Sequence, residues 1–265
     1  MTYDNLRLDM SICSLIPIIP VINRWNKVHK SLFSYTQSTA IVSYNEPWTI
    51  GSTLGLQKMT KYLRDITYIP SYHLGVIIGI ILGDANITIQ AKGKNARLSF
   101  KQSIINFPFF WSTFNILSHY VSSVPYKDST VINGVRFFST RFDTRAYFIF
   151  TLLHEIFIVK GKKTISHDLF HYITPVALAF WIMSDGSRKA KGLLLCTDSF
   201  TIQEVVILMN ILMIRYGLSC GLHYNRGLPR IYIHTKSMVK LRKIVGPHMI
   251  SFSNYKLSGA SRLLV

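Results

Sequence analysis

Two aspartates follow two similar apolar runs of the chain. Asp84 follows Ile77-Ile-Gly-Ile-Ile-Leu-Gly83, and Asp185 follows Leu178-Ala-Phe-Trp-Ile-Met-Ser184. A carboxylate at a helix C-terminus faces the negative end of the helix dipole, and two neighbouring carboxylates repel each other. A divalent cation between them makes the arrangement favourable, and Mg²⁺ prefers such oxygen ligands. We interpret the pair as ligands for Mg²⁺ in phosphodiester cleavage; the alternative is that each aspartate lies in a turn after a core helix.

Three glycines support a close approach of these two runs. Gly75, Gly79 and Gly83 recur every four residues, so that one face of the first predicted helix has no side chains. Glycine inside a helix costs about 1 kcal/mol relative to alanine, which favours a packing reason for three of them on one face. We therefore expect the backbone of the second run to pack there, with the two aspartates at one end of the crossing.

The charge of the chain indicates a polyanionic partner. The 265 residues include 30 Lys+Arg and 12 Asp+Glu, giving a formal net charge of +18, and 49% are hydrophobic, which is enough for a packed core. Residues 86–127 and 205–265 contain no acid at all. Nucleic acid is favoured over an anionic membrane because the cations lie in strand-like segments. No apolar run reaches the roughly 20 residues of a membrane span, so we expect no stable membrane insertion.

The two runs begin two halves with the same predicted order of elements. Each half reads as a helix, two strands, a helix, two strands and a helix, which predicts an α+β fold of two pseudo-symmetric αββαββα subdomains. Residues 1–66 are interpreted as an N-terminal extension, 67–165 as the first subdomain and 166–265 as the second, with a basic tail. The elements predicted after the aspartates are strands 86–90, 96–101, 124–126 and 134–141 with helices 107–121 and 144–159, then a turn at 187–192, strands 193–197, 219–224 and 230–234, and helices 201–216 and 236–245.

The two runs resemble the paired motifs of single-chain LAGLIDADG homing endonucleases, most closely those of yeast mitochondrial introns. The similarity extends from Tyr72 to Leu257 and includes Ile80-Ile-Leu-Gly-Asp84-Ala, Lys162-Lys-Thr-Ile165 and Tyr255-Lys-Leu257. The resemblance implies two saddle-shaped antiparallel sheets that follow the major groove of double-stranded DNA. It also implies that the two motif helices pack at the pseudo-twofold interface.

The resemblance further implies the roles of individual residues. Asp84 and Asp185 are the metal ligands, with the backbone of Gly83 and Ser184 as further ligands. Lys163 and Lys256 match the active-site lysines, which polarise water or hold phosphate. The predicted helix interface consists of Gly75, Gly79, Gly83, Ala179 and Phe180, where Phe180 replaces a motif glycine. The predicted DNA-binding residues are Lys92, Lys94, Arg97, Lys101, Gln102, Arg188, Lys189, Lys191, Asp198, Tyr224, Arg226 and Arg230, with Gln102 and Asp198 in equivalent places of the two halves.

The function implied is a site-specific, Mg²⁺-dependent double-strand DNA endonuclease of a mobile organellar intron. Mn²⁺ is expected to substitute for Mg²⁺, the chain to act as a monomer on a long asymmetric target, and the location to be the mitochondrion in preference to the chloroplast. The alternative is an RNA maturase of the same fold that binds its own intron RNA and does not cleave DNA. A third reading is a decayed protein without activity. The presence of both acids and both lysines favours cleavage.

Overall fold

The computed structural model describes residues 54–55, 58–91 and 93–258. These residues form two halves of similar topology, each with a four-stranded antiparallel sheet and three main helices. The α+β class predicted from the sequence is confirmed, and so is the order αββαββα in both halves.

The first half follows a short helix, α1 (Lys61–Asp65), whose first turn is capped by the side chain of Thr60. Its elements are α2 (Ser71–Leu82), β1 (Ala85–Ile89), β2 (Ala96–Ser103), α3 (Phe107–Leu117), β3 (Tyr126–Ile132), β4 (Val135–Asp143), α4 (Phe148–Phe157), β5 (Ile158–Val159) and β6 (Lys162–Lys163). The sheet has the strand order β1-β2-β4-β3. A two-stranded hairpin, β5–β6, follows the last helix of this half and carries Lys163.

The second half repeats this arrangement. Its elements are α5 (Leu169–Tyr172), α6 (Pro175–Asp185), β7 (Gly186–Lys189), β8 (Gly192–Leu195), α7 (Ile202–Tyr216), β9 (Cys220–Asn225), β10 (Leu228–Ile233), α8 (Met238–Val245) and α9 (Tyr255–Ser258). The strand order of its sheet is β7-β8-β10-β9. Helix α7 has clear boundaries: Thr201 and Glu204 form a capping box, and Gly217 ends the helix in the left-handed conformation at φ 57°.

The two motif helices, α2 and α6, cross in close contact. A Cβ atom at Gly79 would lie 2.5 Å from the Ala177 carbonyl oxygen and 2.6 Å from Phe180 Cβ. A Cβ atom at Gly75 would lie 2.9 Å from Thr174 Oγ1. The glycines of α2 thus make room for the backbone and side chains of α6. Both helices are buried over most of their length, which explains why their sequences are apolar on every face.

The described part of the predicted extension belongs to the first half. Gly55 donates a backbone hydrogen bond of 3.3 Å to the Ser122 carbonyl, and the Tyr147 hydroxyl lies 3.4 Å from Met59 Sδ. Leu54 and Met59 pack against the core. The rest of the predicted extension, at 1–53 and 56–57, lies outside the described residues, as do Lys92 and the end of the predicted basic tail at 259–265.

Three predicted elements differ from the structure. The strand predicted at 124–126 is β3, which begins at Tyr126 and continues to Ile132. The sequence of β3 shows no alternation of polar and apolar residues. The far end of the β3–β4 hairpin extends beyond β2, so there β3 pairs with β4 without a third strand beside them. The turn predicted at 187–192 begins instead as strand β7. The helix predicted at 144–159 is shorter, since Thr144 still pairs with Val121 and α4 starts at Phe148.

In the part of the chain that the structure describes, every helix is too short or too polar to cross a membrane.

Candidate active site at the ends of the motif helices

The crossing of α2 and α6 brings Asp84 and Asp185 together. Helix α2 ends at Leu82, so that Asp84 follows the capping residue Gly83, whereas Asp185 is the last residue of α6. A Cβ atom at Gly83 would lie 2.5 Å from Ser184 Oγ and 3.5 Å from Asp185 Cγ. The absence of a side chain at Gly83 therefore lets the two acidic ends approach each other.

Two donors from different elements contact the Asp84 carboxylate. The Gln102 amide on β2 donates to Asp84 Oδ2, and the Ser184 hydroxyl on α6 donates to the same oxygen at 2.6 Å. The Asp84 backbone N–H in turn donates to Ser184 Oγ at 3.2 Å. The Asn106 amide donates to Gln102 Oε1 at 3.0 Å, which fixes the orientation of the glutamine amide. These contacts hold Asp84 in one position.

The Asp185 carboxylate has a different environment. The pKa of Asp185 is raised to about 7, first by burial and then by the neighbouring Asp84 carboxylate, while Lys163 and Lys256 oppose this effect. Among the described residues, no hydrogen-bond donor contacts this carboxylate. A half-buried carboxylate beside a second carboxylate, without a donor of its own, is the kind of group that a bound cation would stabilise.

The ammonium group of Lys163, a residue of β6, lies at the C-terminal end of α2. The group donates to three main-chain carbonyls, those of Ile81 at 2.7 Å, Gly83 at 3.1 Å and Ala85 at 3.1 Å. A cation at this end of a helix meets carbonyls that have no intrahelical partner, and the helix dipole is favourable to it. Burial lowers the pKa of Lys163, and the carboxylates of Asp185 and Asp84 act in the opposite direction.

Lys256 has the matching position at the end of α6. Its ammonium group donates to the carbonyls of Ile182 at 3.2 Å, Met183 at 2.6 Å and Ser184 at 3.2 Å. The residue is only 8% exposed, although it belongs to the four-residue helix α9. Each half thus supplies one acid and one lysine, and each lysine lies on the acid-bearing terminus of its own motif helix.

The donor set can hold a divalent cation. The described part of the chain has no group of three or more His, Cys, Asp and Glu residues that could hold a metal ion. The possible ligands here are the two carboxylates of Asp84 and Asp185. Mg²⁺ is often bound by one or two carboxylates with waters and phosphate oxygens as the other ligands, so two acids suffice. The carbonyls of Gly83 and Ser184, which the sequence analysis added as ligands, each already accept a hydrogen bond from a lysine. The fit to a cation therefore rests on the two carboxylates.

The strand register corrects one predicted equivalence. Ala85 pairs with Phe100 in the first half, and Gly186 pairs with Leu195 in the second. Counting from these pairs, the counterpart of Gln102 is Thr197 and not Asp198. Thr197 is 1% exposed and donates to the Pro229 carbonyl at 2.7 Å instead of to an acid.

Eight of the predicted DNA-binding residues fall into two groups. Arg97 and Lys101 alternate with buried residues along β2 and so lie on its outward face, and Arg230 does the same on β10. Lys101 forms an ion pair of 2.8 Å with Asp128, and Arg230 Nε donates to Asp198 Oδ1 at 2.6 Å. The predicted residues with exposed side chains near turns are Lys94, Lys189, Lys191, Tyr224 and Arg226.

Gln102 and Arg188 lie elsewhere. The Gln102 side chain is buried and bonded to Asp84, so it belongs to the acid site and not to the outward face of the sheet. Arg188 pairs across the sheet with Leu193, a core residue, and therefore lies on the inward face. Its guanidinium donates to the Leu257 carbonyl at 2.9 Å.

The sequence analysis did not find the side-chain contacts of Ser184, Asn106 and Arg242. Ser184 was considered only for its backbone, although a small polar residue directly before the second acid and opposite Gly83 was a usable signal. Asn106 stands four residues after Gln102, in the turn that follows β2, and nothing in its surroundings marked it out. Arg242 donates to the Leu257 carbonyl at 3.0 Å, a contact between distant parts of the chain.

The chain is similar to several proteins of known name or structure. It is 32% identical over 218 residues to a probable intron-encoded endonuclease 1 from Wickerhamomyces canadensis, covering 77% of this chain and 93% of that protein. It is 29% identical over 190 residues to the cytochrome b mRNA maturase bI2 of Debaryomyces hansenii, covering 69% of this chain and 72% of that protein.

Among solved structures, the fold is similar to that of the homing endonuclease I-WcaI bound to its DNA recognition sequence. The TM-score is 0.68 at 31% sequence identity, over 72% of this chain and 88% of that one. The model of the LAGLIDADG DNA endonuclease family matches residues 74–241, which include most of α2, all of α6 and both four-stranded sheets. The family resemblance predicted from the two motifs is thereby confirmed, and the chain belongs to the LAGLIDADG DNA endonuclease family.

Proposed function

We propose that the protein is a site-specific endonuclease of a mobile organellar intron that hydrolyses both strands of a long, asymmetric DNA target with Mg²⁺. The observation that supports this most directly is the meeting of Asp84 and Asp185 at the end of the helix crossing, with one lysine beside each. We further propose that the chain acts as a monomer, because the two subdomains, predicted at 67–165 and 166–265, each supply one acid and one lysine.

The carboxylates of Asp84 and Asp185 are the proposed metal ligands. When bound, a divalent cation supplies Lewis-acid stabilisation of the charge that develops on phosphate oxygens during hydrolysis. Mn²⁺ has a similar preference for oxygen ligands and is expected to substitute. Gln102 and Ser184 hold the Asp84 carboxylate in place through their hydrogen bonds, so that this ligand does not have to reorganise when DNA binds.

The lysines contribute positive charge at the same place. Lys163 and Lys256 hold their ammonium groups beside the acids through main-chain carbonyls. From there each can stabilise negative charge on the phosphate of one strand. The outward-facing cations on the sheets, such as Arg97 and Lys101, are the proposed contacts to the DNA backbone and grooves.

A maturase is the second candidate function, because the Debaryomyces hansenii relative carries that name. The name of that relative, a cytochrome b mRNA maturase, also supports a mitochondrial location for the intron that encodes this chain. An RNA maturase would use the same basic surfaces but would not need the paired acids. The acids therefore favour cleavage as the primary activity.

The test uses a supercoiled plasmid that carries the joined exons flanking the intron. The purified protein with Mg²⁺ is expected to linearise this plasmid and to leave a plasmid that contains the intron uncut. Binding should weaken steeply with salt, with a log–log slope of several units, because many phosphates are neutralised. No cleavage of the junction together with tight binding of the intron RNA would establish the maturase instead.

A further inference from the structure

Two arginines converge on the short segment that carries Lys256. Arg188 Nη1 on β7 donates to the Leu257 carbonyl at 2.9 Å, and Arg242 Nε on α8 donates to the same oxygen at 3.0 Å. One main-chain oxygen thus accepts hydrogen bonds from two guanidinium groups that belong to separate elements. The acceptor belongs to the residue directly after Lys256.

The segment needs such support. Helix α9 has only four residues, which is far too short for a helix to be stable by itself. The Leu257 side chain is 5% exposed and packs in the core, while the Lys256 ammonium reaches the carbonyl of Met183 at 2.6 Å. Because the ammonium position follows the backbone of the segment, a shift at Leu257 would move the charge away from the acids.

The first half holds its lysine in another way. Lys163 lies in the hairpin β5–β6, where it pairs with Ile158, and the next residue, Thr164, donates a backbone hydrogen bond of 2.8 Å to Phe157. Backbone pairing thereby fixes Lys163 directly after α4. In the second half, the matching lysine lies in the short helix α9 and not in a hairpin. Side chains from β7 and α8 replace the hairpin in the second half.

We propose that Arg188 and Arg242 are positioning residues that set the location of the Lys256 ammonium and thereby control cleavage of one DNA strand. This inference rests on the proposed endonuclease function. It gives Arg188 a different role from the DNA contact predicted from the sequence, because the side chain lies on the inward face of β7. It also gives a role to Arg242, which the sequence analysis left unassigned.

The experiment measures the cleavage rate of each strand separately. The substrate is a duplex with the joined exon junction, labelled differently on its two strands, and the protein is the full chain with Mg²⁺. Arg242→Ala and Arg188→Ala are each expected to slow the strand that Lys256→Ala slows, by about 3- to 30-fold, and to leave the other strand within about twofold. Lys243→Ala, at the next and exposed position of α8, is the matched control and should change neither rate.

Double variants separate positioning from a general loss of structure. Adding Arg242→Ala to Lys256→Ala should slow cleavage by less than about a further twofold, because both substitutions act on the same ammonium group. Adding Arg242→Ala to Lys163→Ala should slow cleavage by the product of the two single effects. Arg242→Lys, which retains a donor and a charge, should recover most of the rate. The ratio between the two strand rates does not depend on the folded fraction, so partial unfolding cannot imitate the result.

Two results would overturn the inference. One is equal slowing of both strands by Arg188→Ala or Arg242→Ala together with weaker DNA binding, which would mean that these residues contact DNA. The other is full multiplication of the Arg242→Ala and Lys256→Ala defects. If the unmodified chain cuts neither strand, the proposed function itself is wrong, and the inference is overturned with it.

Discussion

The two halves of the molecule place the same charged groups but support them differently. In the first half, Asp84 accepts hydrogen bonds from Gln102 and from Ser184 of the other half. In the second half, the register places Thr197 where Gln102 stands, and its hydroxyl is occupied by the Pro229 carbonyl. Asp185 consequently has no donor among the described residues, and its pKa is raised.

The lysines show the same contrast. Lys163 lies in a backbone hairpin, whereas Lys256 lies in a four-residue helix whose carbonyl at Leu257 accepts hydrogen bonds from two arginine side chains. The difference shows that the pseudo-repeat preserves the positions of acid and cation at the two helix ends. The surrounding hydrogen bonds are not repeated, so equivalent substitutions in the two halves need not have equal effects.

The largest expected effect on cleavage comes from the acids, which both halves supply in the same way. Asp84→Asn and Asp185→Asn should each lower cleavage by about 10³-fold or more, because each removes a proposed carboxylate ligand of the cation. DNA affinity should remain within about fivefold, since phosphate contacts come from many other cations. Plasmid cleavage and gel-shift titration measure the two effects, and wild-type cleavage by either variant would refute the assignment of the acids.

The lysines are expected to divide the two strands between them. Lys163→Ala and Lys256→Ala should each slow cleavage by about 10- to 1000-fold, which corresponds to roughly 1.4–4 kcal/mol of barrier. Nicked plasmid should accumulate before linear product, and the nick should lie on opposite strands in the two variants. Sequencing across the nick distinguishes the strands. A nick on the same strand in both variants would contradict one lysine per strand.

Gln102 and Thr197 provide the sharpest comparison of equivalent positions. Gln102→Ala removes a donor from Asp84 and should slow cleavage by about tenfold, with DNA affinity unchanged. Thr197→Val should leave the cleavage rate within about twofold but lower the free energy of unfolding by about 1 kcal/mol, because a buried carbonyl loses its donor. Cleavage kinetics and urea denaturation of the two variants measure this, and a slow Thr197→Val enzyme would mean that the halves are equivalent after all.

The smallest expected effect concerns stability without metal. The pKa of Asp185 is raised from its ordinary value of 3.8 to about 7, so its ionised form is disfavoured in the folded protein. Stability therefore falls as the pH rises through this range and stays reduced above it. In EDTA at pH 8, Asp185→Asn should therefore raise the free energy of unfolding by about 1 kcal/mol, which is the free energy that corresponds to a pKa change of about one unit.

Asp84→Asn is the matched control for this stability effect. It should stabilise the protein less than Asp185→Asn does, because it relieves the repulsion between the two carboxylates but weakens the hydrogen bonds that Asp84 accepts from Gln102 and Ser184. The measurement is the urea midpoint of each variant with and without Mg²⁺. Equal stabilisation by both variants would contradict the difference in environment.

Much of the fold could be predicted from the sequence because its signals were strong and local. The helix predicted at 201–216 agrees with α7 to within one residue, and in the structure a capping box at Thr201 and a left-handed Gly217 form its two ends. The spacing of Gly75, Gly79 and Gly83 indicated the helix crossing that the structure shows. These features depend on neighbouring residues or on one helix face, which a sequence displays directly.

Other features were missed for identifiable reasons. Asn133-Gly134 is a strong hairpin signal, and both residues have positive φ, 49° and 78°, yet β3 before it was predicted too short because its residues are polar. Arg188 was interpreted as a DNA contact because it was predicted in a turn. Once β7 is a strand, its alternation and the pairing with Leu193 turn the side chain inward, and only the tertiary structure gives this register.

The contact between Gly79 and Phe180 has a consequence for how the two halves recognise each other. A Cβ atom at Gly79 would lie 2.6 Å from Phe180 Cβ, so the glycine on α2 leaves the space that the phenylalanine on α6 needs. Two copies of the second half would oppose phenylalanine to phenylalanine, and two copies of the first would leave a void. If the chain were divided between the halves, this contact would favour the pairing of unlike fragments over the pairing of like ones.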